Sequence, residues 1–400
     1  MNNIIFYIPD VDQTHGGVRQ YSINLLTTIA NFDQDSFHFY IYHNLKDPEV
    51  LEIIKSYKNC TLITDKDIYI PAISRRNFWR KKITLLSQFF IGKQPYRFKT
   101  IDAFDVFLKE KKIEYVHIPY QFIPKTNLSA KVICTLHDVQ ELHFPAFFPA
   151  KVRAYRANMY LDCVTKSHKV VVSYQHIAQD LITYFNTSPN KIQVCLLNMK
   201  DLWFNKLEQE YKNTIPSNPY KEDYLLYPAN FWKHKNHQRL IEAFSIFKKQ
   251  TDATTQLVLT GNNDNEEGIV VKQLVDKLGL NGDVIFAGIL DEQTLYATYK
   301  NALGVVVPTL YEAGSFPLME SIIMGIPVIC SNVTSLPETI GDKQFVFDPF
   351  DIEDMTSKIK QLVTDETYRH QSRLNGKKMS GRIKKTGAEE IIKYIYLNKN

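Results

Sequence analysis

The chain has 400 residues and a net charge of +5, with 44% hydrophobic and 23% charged residues. This length predicts two domains, and this composition is typical of a globular protein and excludes a disordered or fibrous one. The small positive excess does not indicate a nucleic-acid partner, and the five cysteines are scattered without the paired spacing of metal ligands.

In the first half of the chain, short apolar runs alternate with stretches of helical period, which is typical of a parallel sheet covered by helices. The N-terminal sequence MNNIIFYIPD lacks the basic start and long apolar stretch of an export signal, and no apolar run is long enough to span a bilayer. We therefore expect a cytoplasmic protein. The strands predicted here are residues 4–8, 37–42, 115–118, 132–136, 170–172 and 192–196.

Two glycines, Gly16 and Gly17, follow the first predicted strand and precede a helix. Glycines at this place allow the backbone to approach a ligand closely. A plain turn would have the same sequence, so the pair alone does not decide between the two interpretations.

A basic and aromatic segment, residues 75–91, begins RRNFWRKK and continues with large apolar groups. A helix of this composition can lie on anionic lipid, which would place the protein at the inner face of the cytoplasmic membrane. A basic helix packed on its own domain has the same pattern.

His137 comes directly after the predicted strand 132–136. A side chain at the carboxyl end of a strand in a doubly wound sheet is placed to face a ligand. The alternative is a histidine that faces the core or caps a turn.

The polar segment 198–223 contains Pro216 and Pro219 and is predicted to be a linker. It separates an N-terminal domain, residues 1–197, from a second domain, residues 224–375. The second domain repeats the alternation, with predicted strands at residues 224–227, 256–260, 284–287, 304–307 and 328–330. Residues 376–400 end in a helix that we expect to pack back on the first domain. Two such domains would face each other across a central cleft.

The first strand of the second domain leads into YPANFWKHKNH, where Lys235 precedes an amphipathic helix and places a cation at the rim of the cleft. A solvated, basic helix start is the alternative. His234 and His237 have no nearby carboxylate and make a poor ligand set, so we expect no metal.

The stretch GVVVPTLYEAGSFPLMESIIMGIPVICSN predicts a buried strand, a loop, a short helix and another strand. Ser315 is suited to cap the helix, Pro317 to its first turn and Gly325 to the position after its end. The free backbone amides at this helix start, beside Gly314, would face an anion such as a diphosphate.

Two glutamates flank this helix start. Glu320 lies one turn into the helix, where its carboxylate can accept hydrogen bonds from both hydroxyls of a ribose. Glu312 lies on the loop and can bind the hydroxyls of a sugar. An exposed loop acid and a solvated helix acid are the alternative, but the order of strand, glycine loop, helix and strand favours a binding site.

The two glutamates, with Gly314, Pro317 and the later SLPE at residues 335–338, resemble the signature of the retaining glycosyltransferases of family 4. The resemblance implies an α/β architecture of the GT-B type, with two Rossmann-like, doubly wound parallel-sheet domains. It also implies that Glu312 contacts the donor sugar near the reacting centre and that Glu320 binds the ribose. The backbone from Gly314 through Ser315 to Phe316 would hold the sugar and the diphosphate. The family usually has Glu-Gly-Phe-Gly in this loop, so this chain lacks one of the glycines.

The resemblance extends to the other candidate residues. It places Gly16 and Gly17 near the diphosphate and the acceptor, and His137 on the donor hexose. In the family an Arg and a Lys five positions apart neutralise the leaving diphosphate; Lys235 matches the Lys, but Asn230 stands where the Arg is expected.

The string HDVQELHFPAFFP resembles bacterial mannosyltransferases of surface polysaccharide assembly, of O-antigen or capsule. We therefore expect retaining, metal-independent transfer of a hexose, with mannose from a GDP-sugar as the donor group, to a glycan or lipid-linked acceptor. No cofactor beyond the nucleotide sugar is expected. The alternatives are a GT-B epimerase or phosphorylase, or a non-catalytic sugar-nucleotide-binding subunit, which the Asn230 replacement brings into consideration.

Overall fold

The chain folds into two parallel β-sheets with helices packed against them. The computed structural model describes residues 1–11, 16–45, 47–68, 74–79, 82–83, 102–123, 128–199, 202–212, 214 and 216–398. Within these ranges the first sheet has seven strands in the order β3-β2-β1-β4-β5-β6-β7, and the second has six in the order β10-β9-β8-β11-β12-β13. Both orders reverse direction beside the first strand of their sheet, as in doubly wound folds.

The strands of the first sheet are β1 Asn2–Tyr7, β2 Phe37–Tyr42, β3 Cys60–Ile63, β4 Ile113–Ile118, β5 Lys131–Thr135, β6 Lys169–Val172 and β7 Ile192–Val194. Those of the second sheet are β8 Tyr224–Pro228, β9 Gln256–Thr260, β10 Val284–Gly288, β11 Gly304–Val307, β12 Val328–Ser331 and β13 Val346–Phe347. The α-helices include Gly16–Ala30, Pro48–Ser56, Asp65–Ile68, Ala103–Glu110, Gln140–His143, Ala150–Lys166, Gln175–Phe185, Asn205–Glu210, His237–Gln250, Glu266–Leu278, Glu292–Asn301, Phe316–Met324, Leu336–Ile340, Ile352–Thr364, Glu366–Lys384 and Ala388–Leu397.

The predicted fold class is confirmed, because both sheets are parallel and both are covered by helices. Every strand predicted from the sequence is present, with ends that differ by at most two residues. Two strands were not predicted, β3 and β13. Both lie at a sheet edge, and β3 is partly exposed while β13 has only two residues, so neither carries the continuous apolar run that marks a strand buried on both faces.

The final helix, Ala388–Leu397, packs on the first sheet although the helix before it belongs to the second. Ile392 and Ile395 are buried among the apolar side chains that also include Phe37. The Tyr396 hydroxyl lies 2.6 Å from Nδ1 of His117 on β4. The C-terminal chain therefore crosses back and ties the two halves together.

The segment between the sheets is more than a polar connection. Phe204 is fully buried in the core of the second sheet, and the helix Asn205–Glu210 follows it. Met199 donates its amide N–H to the carbonyl of Ile383. The described part of the linker is thus packed on the second half of the molecule.

Among the described residues, every helix is too short or too polar to cross a bilayer. Of the basic and aromatic segment 75–91, the structure describes residues 75–79 and 82–83; residues 80–81 and 84–91 lie outside the described residues.

Candidate active site between the two sheets

Residues predicted from distant parts of the sequence meet around one cavity of about 310 Å³ between the two sheets. Gly17 and His137 line it from the first sheet's side, and Gly314 and Phe316 line it from the second. A neighbouring cavity of about 280 Å³ shares Gly17 and Phe316 and is lined also by Glu320. The loops at the carboxyl ends of both sheets therefore form one continuous candidate site, where ligands bind in doubly wound folds.

Two helices begin at this cavity. The helix Gly16–Ala30 starts at the glycine pair, and the helix Phe316–Met324 starts after Ser315 with Pro317 in its first turn. The start of a helix presents amide N–H groups without intrahelical partners and the positive end of the helix dipole. Two such starts at one cavity favour a ligand with strong negative charge, such as a diphosphate.

Ser315 occupies the predicted cap position, but its side chain makes no capping hydrogen bond. Its hydroxyl is buried and has no hydrogen-bond partner within the described part of the chain. Gly314, one residue earlier, packs closely against Tyr174 of the first half, because a Cβ built on this glycine would lie 3.1 Å from Cε2 of that ring. The loop therefore approaches the first half as closely as its glycine allows.

Lys235 and Glu312 form an ion pair in which Nζ of the lysine lies 2.5 Å from Oε1 of the glutamate. Only 13% and 11% of the two side chains are exposed, so both charges are largely removed from water. The loops that carry them are also joined, because the carbonyl of His234 accepts the amide N–H of Leu310 at 2.7 Å. Asn236, in the left-handed region at φ 62°, donates its side-chain amide to the carbonyl of Pro308.

The SLPE segment holds the backbone of Glu312 in place. Ser335 donates its hydroxyl to the carbonyl of Glu312 at 3.1 Å, and the amide N–H of Glu312 donates to the hydroxyl of Thr334 at 3.1 Å. Ser335 of the SLPE segment and the preceding Thr334 thus fix the orientation of the Glu312 loop.

Glu320 is buried and accepts two hydrogen bonds from side chains that the sequence did not associate with it. The indole N–H of Trp203 donates to Oε1 at 2.7 Å, and the hydroxyl of Tyr299 donates to Oε2 at 2.8 Å. Burial raises the pKa of Glu320 above its ordinary value, and these two donors offset only part of that rise. The carboxylate is therefore held in one orientation at the wall of the smaller cavity.

His137 lies at the end of β5, as predicted, with its ring edge-on to Tyr21 at a centroid distance of 4.7 Å. Its Nε2 is 2.9 Å from the carbonyl oxygen of Pro119. Because a carbonyl only accepts, Nε2 carries the proton and Nδ1 is the acceptor. Burial lowers the pKa of His137, so the ring is neutral at neutral pH. The side chain can orient a ligand hydroxyl but carries no charge.

Asn230, like Lys235 and Glu312, lines neither cavity. Its side chain is exposed and accepts the amide N–H of Asn262 at 2.8 Å. Gly261, just before that residue, has φ +104° and lies so close to Ala229 that a Cβ would be 2.7 Å from its backbone. Asn230 therefore joins two loops at the carboxyl ends of β8 and β9.

The histidines beside Lys235 are packed as aromatic rings. His237 stacks on Phe231 at a centroid distance of 4.0 Å, and burial lowers its pKa to about 3. Within the described ranges, no three His, Cys, Asp or Glu side chains are grouped as metal ligands.

Several residues of the site were missed from the sequence. Gln20 and Asn24 line both cavities and follow Gly16 at intervals of four, so the spacing of one helical face could have identified them. Trp203 and Tyr299 carried no such signal, because one lies in a polar linker and the other on a separate helix.

Residues 209–379 match the model of a family described as "Glycosyl transferases group 1". The O-antigen chain mannosyltransferase B of Escherichia coli is 25% identical over 263 residues, which cover 66% of this chain and 68% of that protein. The serotype-specific mannosyltransferase WbdA of Escherichia coli is 25% identical over 258 residues, and the match covers 62% of this chain but 31% of that longer protein.

Solved structures share the fold over the whole chain. The glycosyltransferase WaaG, involved in lipopolysaccharide biosynthesis, has a TM-score of 0.62 at 17% identity, with full coverage of both chains. Sucrose-phosphate synthase from Thermosynechococcus elongatus has a TM-score of 0.63 at 16% identity and covers 99% of this chain and 98% of that chain. At such identities the likeness shows the fold alone, which is GT-B.

Proposed function

We propose that this protein is a retaining mannosyltransferase. The premise is that residues 209–379 form a glycosyltransferase group 1 domain within a GT-B fold. The protein moves mannose from GDP-mannose to a glycan or lipid-linked saccharide during assembly of a bacterial surface polysaccharide, at the cytoplasmic side of the membrane. The names of the relatives from Escherichia coli support the mannose and the polysaccharide.

The observation that carries the proposal is the meeting of Gly17, His137, Gly314 and Phe316 around one cavity at two helix starts. A sugar nucleotide needs one place for a diphosphate and an adjacent place for a hexose. The helix starts suit the diphosphate, and the neutral ring of His137 suits a sugar hydroxyl. Glu320, at the wall of the smaller cavity, suits the ribose.

Transfer requires stabilisation of an oxocarbenium-like sugar and of the negative charge that develops on the leaving diphosphate. Backbone amides at Gly17 and Phe316 serve the diphosphate, together with the ammonium group of Lys235. Glu312 holds that ammonium group in place through their ion pair and presents its carboxylate toward the sugar. The protein holds these groups in place before the donor binds. Electrostatic stabilisation is most effective when the charged groups are preorganised in this way.

Retention follows if the acceptor attacks the face that the diphosphate leaves. A diphosphate oxygen then takes the proton of the acceptor hydroxyl, and no protein base is required. The charge on the diphosphate is met by Lys235 and the helix starts, so the proposed reaction needs no divalent metal. Transfer by the purified chain in excess chelator would test this point.

The direct experiment incubates the purified chain with GDP-mannose and mannosylated acceptors and determines the anomeric configuration of the product by NMR. Retained configuration is the expected result. An inverted product would contradict the mechanism, and epimerised or phosphorolysed donor would indicate one of the other GT-B activities.

A non-catalytic sugar-nucleotide-binding subunit is a second candidate, favoured by one observation. In the family that this chain resembles, a cation at this position neutralises the diphosphate. Here the uncharged Asn230 stands at that position and joins two loops. Such a subunit would bind GDP-mannose, raising the melting temperature, but would neither transfer nor hydrolyse it.

A lipid-linked acceptor requires contact with a membrane, and the described part of segment 75–91 supports such contact. The side chains of Phe78 and Trp79 are 55% and 61% exposed, and the ammonium group of Lys82 lies over both rings. Aromatic rings with adjacent cations suit the interface of an anionic bilayer. Flotation with anionic and neutral vesicles tests this, with Trp79→Ser expected to weaken binding to the anionic vesicles.

A further inference from the structure

Trp203 lies in the segment that joins the two sheets, yet it contacts the carboxylate that we assign to the ribose. Its indole N–H and the hydroxyl of Tyr299 each donate to a different oxygen of Glu320, at 2.7 Å and 2.8 Å. An indole N–H can only donate, so this contact requires the carboxylate as its acceptor. Each oxygen of Glu320 therefore already has one protein donor.

The Trp203 ring is held in position by its contact with Phe204. Its ring meets that of Phe204 at 88° with the centroids 5.3 Å apart, and Phe204 is fully buried in the second core. Another part of Trp203 faces the cavity of about 280 Å³ that Gly17 and Glu320 also line. The indole thus stands between the core and the space where the ligand would lie.

The Glu320 carboxylate can accept further hydrogen bonds from a ligand. An ionised carboxylate has about four sites for hydrogen bonds, and Trp203 and Tyr299 use two of them. One site remains on each oxygen, which matches the two neighbouring hydroxyls of a ribose. The two protein donors also favour the ionised form of Glu320, against the effect of burial.

We propose that Trp203 is a positioning residue for the donor nucleotide: it holds the Glu320 carboxylate so that its remaining lone pairs accept the ribose hydroxyls. This rests on the proposed function, since it takes a nucleoside diphosphate as the ligand. It goes further by assigning a role in nucleotide recognition to the linker, because Trp203 belongs to neither sheet.

The test measures binding by calorimetry for wild type and Trp203→Phe. The ligand is whichever of GDP, UDP and ADP the wild type binds most tightly, compared with its 2′,3′-dideoxy counterpart. We expect the variant to bind the ribonucleotide about tenfold more weakly, as for loss of one hydrogen bond to a charged group, and to bind the dideoxynucleotide within about twofold of wild type. Tyr299→Phe should show the same pattern through the other oxygen.

Tyr211→Phe is the matched control in the linker. Its hydroxyl accepts from Gln293, and its ring stacks on that of Tyr296. We expect this variant to bind both nucleotides as the wild type does, which separates the contact with Glu320 from a general disturbance of the linker.

Equal weakening of both nucleotides by Trp203→Phe would overturn the inference, because a purely structural role affects them alike. Unchanged binding of both would overturn it too. In either case a wild type that binds GDP most tightly leaves the proposed function standing. A wild type that binds none of the three nucleotides would overturn the proposed function and this inference together.

Fluorescence provides a second measurement if Trp203→Phe does not fold. The chain has three tryptophans, so Trp79→Phe and Trp232→Phe together leave Trp203 as the only indole. We expect saturating ribonucleotide to change its emission more than saturating dideoxynucleotide does. Equal changes, or no change with bound ribonucleotide, would contradict the positioning role.

Discussion

Nζ of Lys235 lies 2.5 Å from Oε1 of Glu312, although the two residues are 77 positions apart and follow different strands of the second sheet. Both side chains are largely buried, and charges in such a place need a partner. The pair therefore has two roles that can be separated by experiment: it satisfies two buried charges, and in the proposed reaction it presents one charge to the diphosphate and the other to the sugar.

Glu312→Ala and Lys235→Ala are each expected to lower the turnover of mannosyl transfer by about a hundredfold or more, as for removal of one preorganised electrostatic contact. Initial rates with GDP-mannose at saturating acceptor measure the effect. Rates near that of the wild type in both variants would contradict the assignment of the site.

The double variant Glu312→Gln/Lys235→Met separates catalysis from folding. Each single change leaves a buried charge without its partner, whereas the double change removes both charges. We expect the double variant to unfold at a higher urea concentration than either single variant while remaining inactive. Additive losses of stability would mean that the two side chains do not interact in solution.

The fold was predicted well because its signal is periodic. Strands such as β8 and β11 are buried along most of their length and therefore appear in the sequence as continuous apolar runs. The edge strand Cys60–Ile63 has an exposed and a half-buried residue between its two buried ends and lacked that signal. Position along the chain also predicted where His137 and Gly314 would lie, since both follow strands whose carboxyl ends meet at the cavity.

Side-chain partners could not be predicted in the same way. The sequence placed Glu320 on a helix, but the bond from Trp203 depends on the path of the linker in three dimensions. It placed Lys235 and Glu312 at the same edge of the sheet, but their ion pair depends on rotamers and loop geometry. Such pairings have no period and no fixed spacing, so only the folded chain reveals them.

Asn230→Arg tests whether the position retains the role that the resemblance implies. Because Asn230 is exposed, the larger side chain has space, and a guanidinium group there would add positive charge near the diphosphate. We expect kcat/KM for GDP-mannose to rise, by about tenfold at most, as for one charge-assisted contact.

Asn230→Ala is the control, since it removes the hydrogen bond to Asn262 without adding charge. We expect Asn230→Ala to lower kcat/KM slightly or leave it unchanged. If Arg and Ala had the same effect, the position would serve only to join the two loops.

Gly261→Ala is expected to destabilise the protein by about 2 kcal/mol or more, because the added Cβ would meet backbone atoms of Ala229 and the residue would stay at φ +104°. Urea denaturation measures the change. Gly282→Ala is the matched control, since a Cβ there has no heavy atom within 4 Å, and we expect a change within about 0.5 kcal/mol. Equal effects of the two substitutions would contradict the described packing of the β8 and β9 loops.

Stability should fall as the pH is lowered below about 6.5, because several buried histidines resist protonation in the folded state. Burial lowers the pKa of His117 and of His237 to about 3, whereas both titrate near 6.5 in the unfolded chain. Between these values the unfolded chain binds protons that the folded chain does not. The contribution of each histidine to the free energy of unfolding is fully present above its pKa in the unfolded chain. As the pH falls from that pKa toward the lower pKa in the folded chain, this contribution is lost at about 1.4 kcal/mol per pH unit for each histidine.

His237→Phe isolates one of these histidines, because the new ring can keep the stacking on Phe231. At pH 8 we expect its free energy of unfolding to lie within about 1.5 kcal/mol of the wild-type value, as for a substitution that conserves volume. Between pH 6 and pH 4 the slope of stability against pH should be shallower than that of the wild type by about 1.4 kcal/mol per pH unit. Urea denaturation at each pH measures the free energy of unfolding. If its slope against pH were the same in the variant and the wild type, His237 would be protonated in the folded chain, and the stacked, buried position of its ring would be wrong.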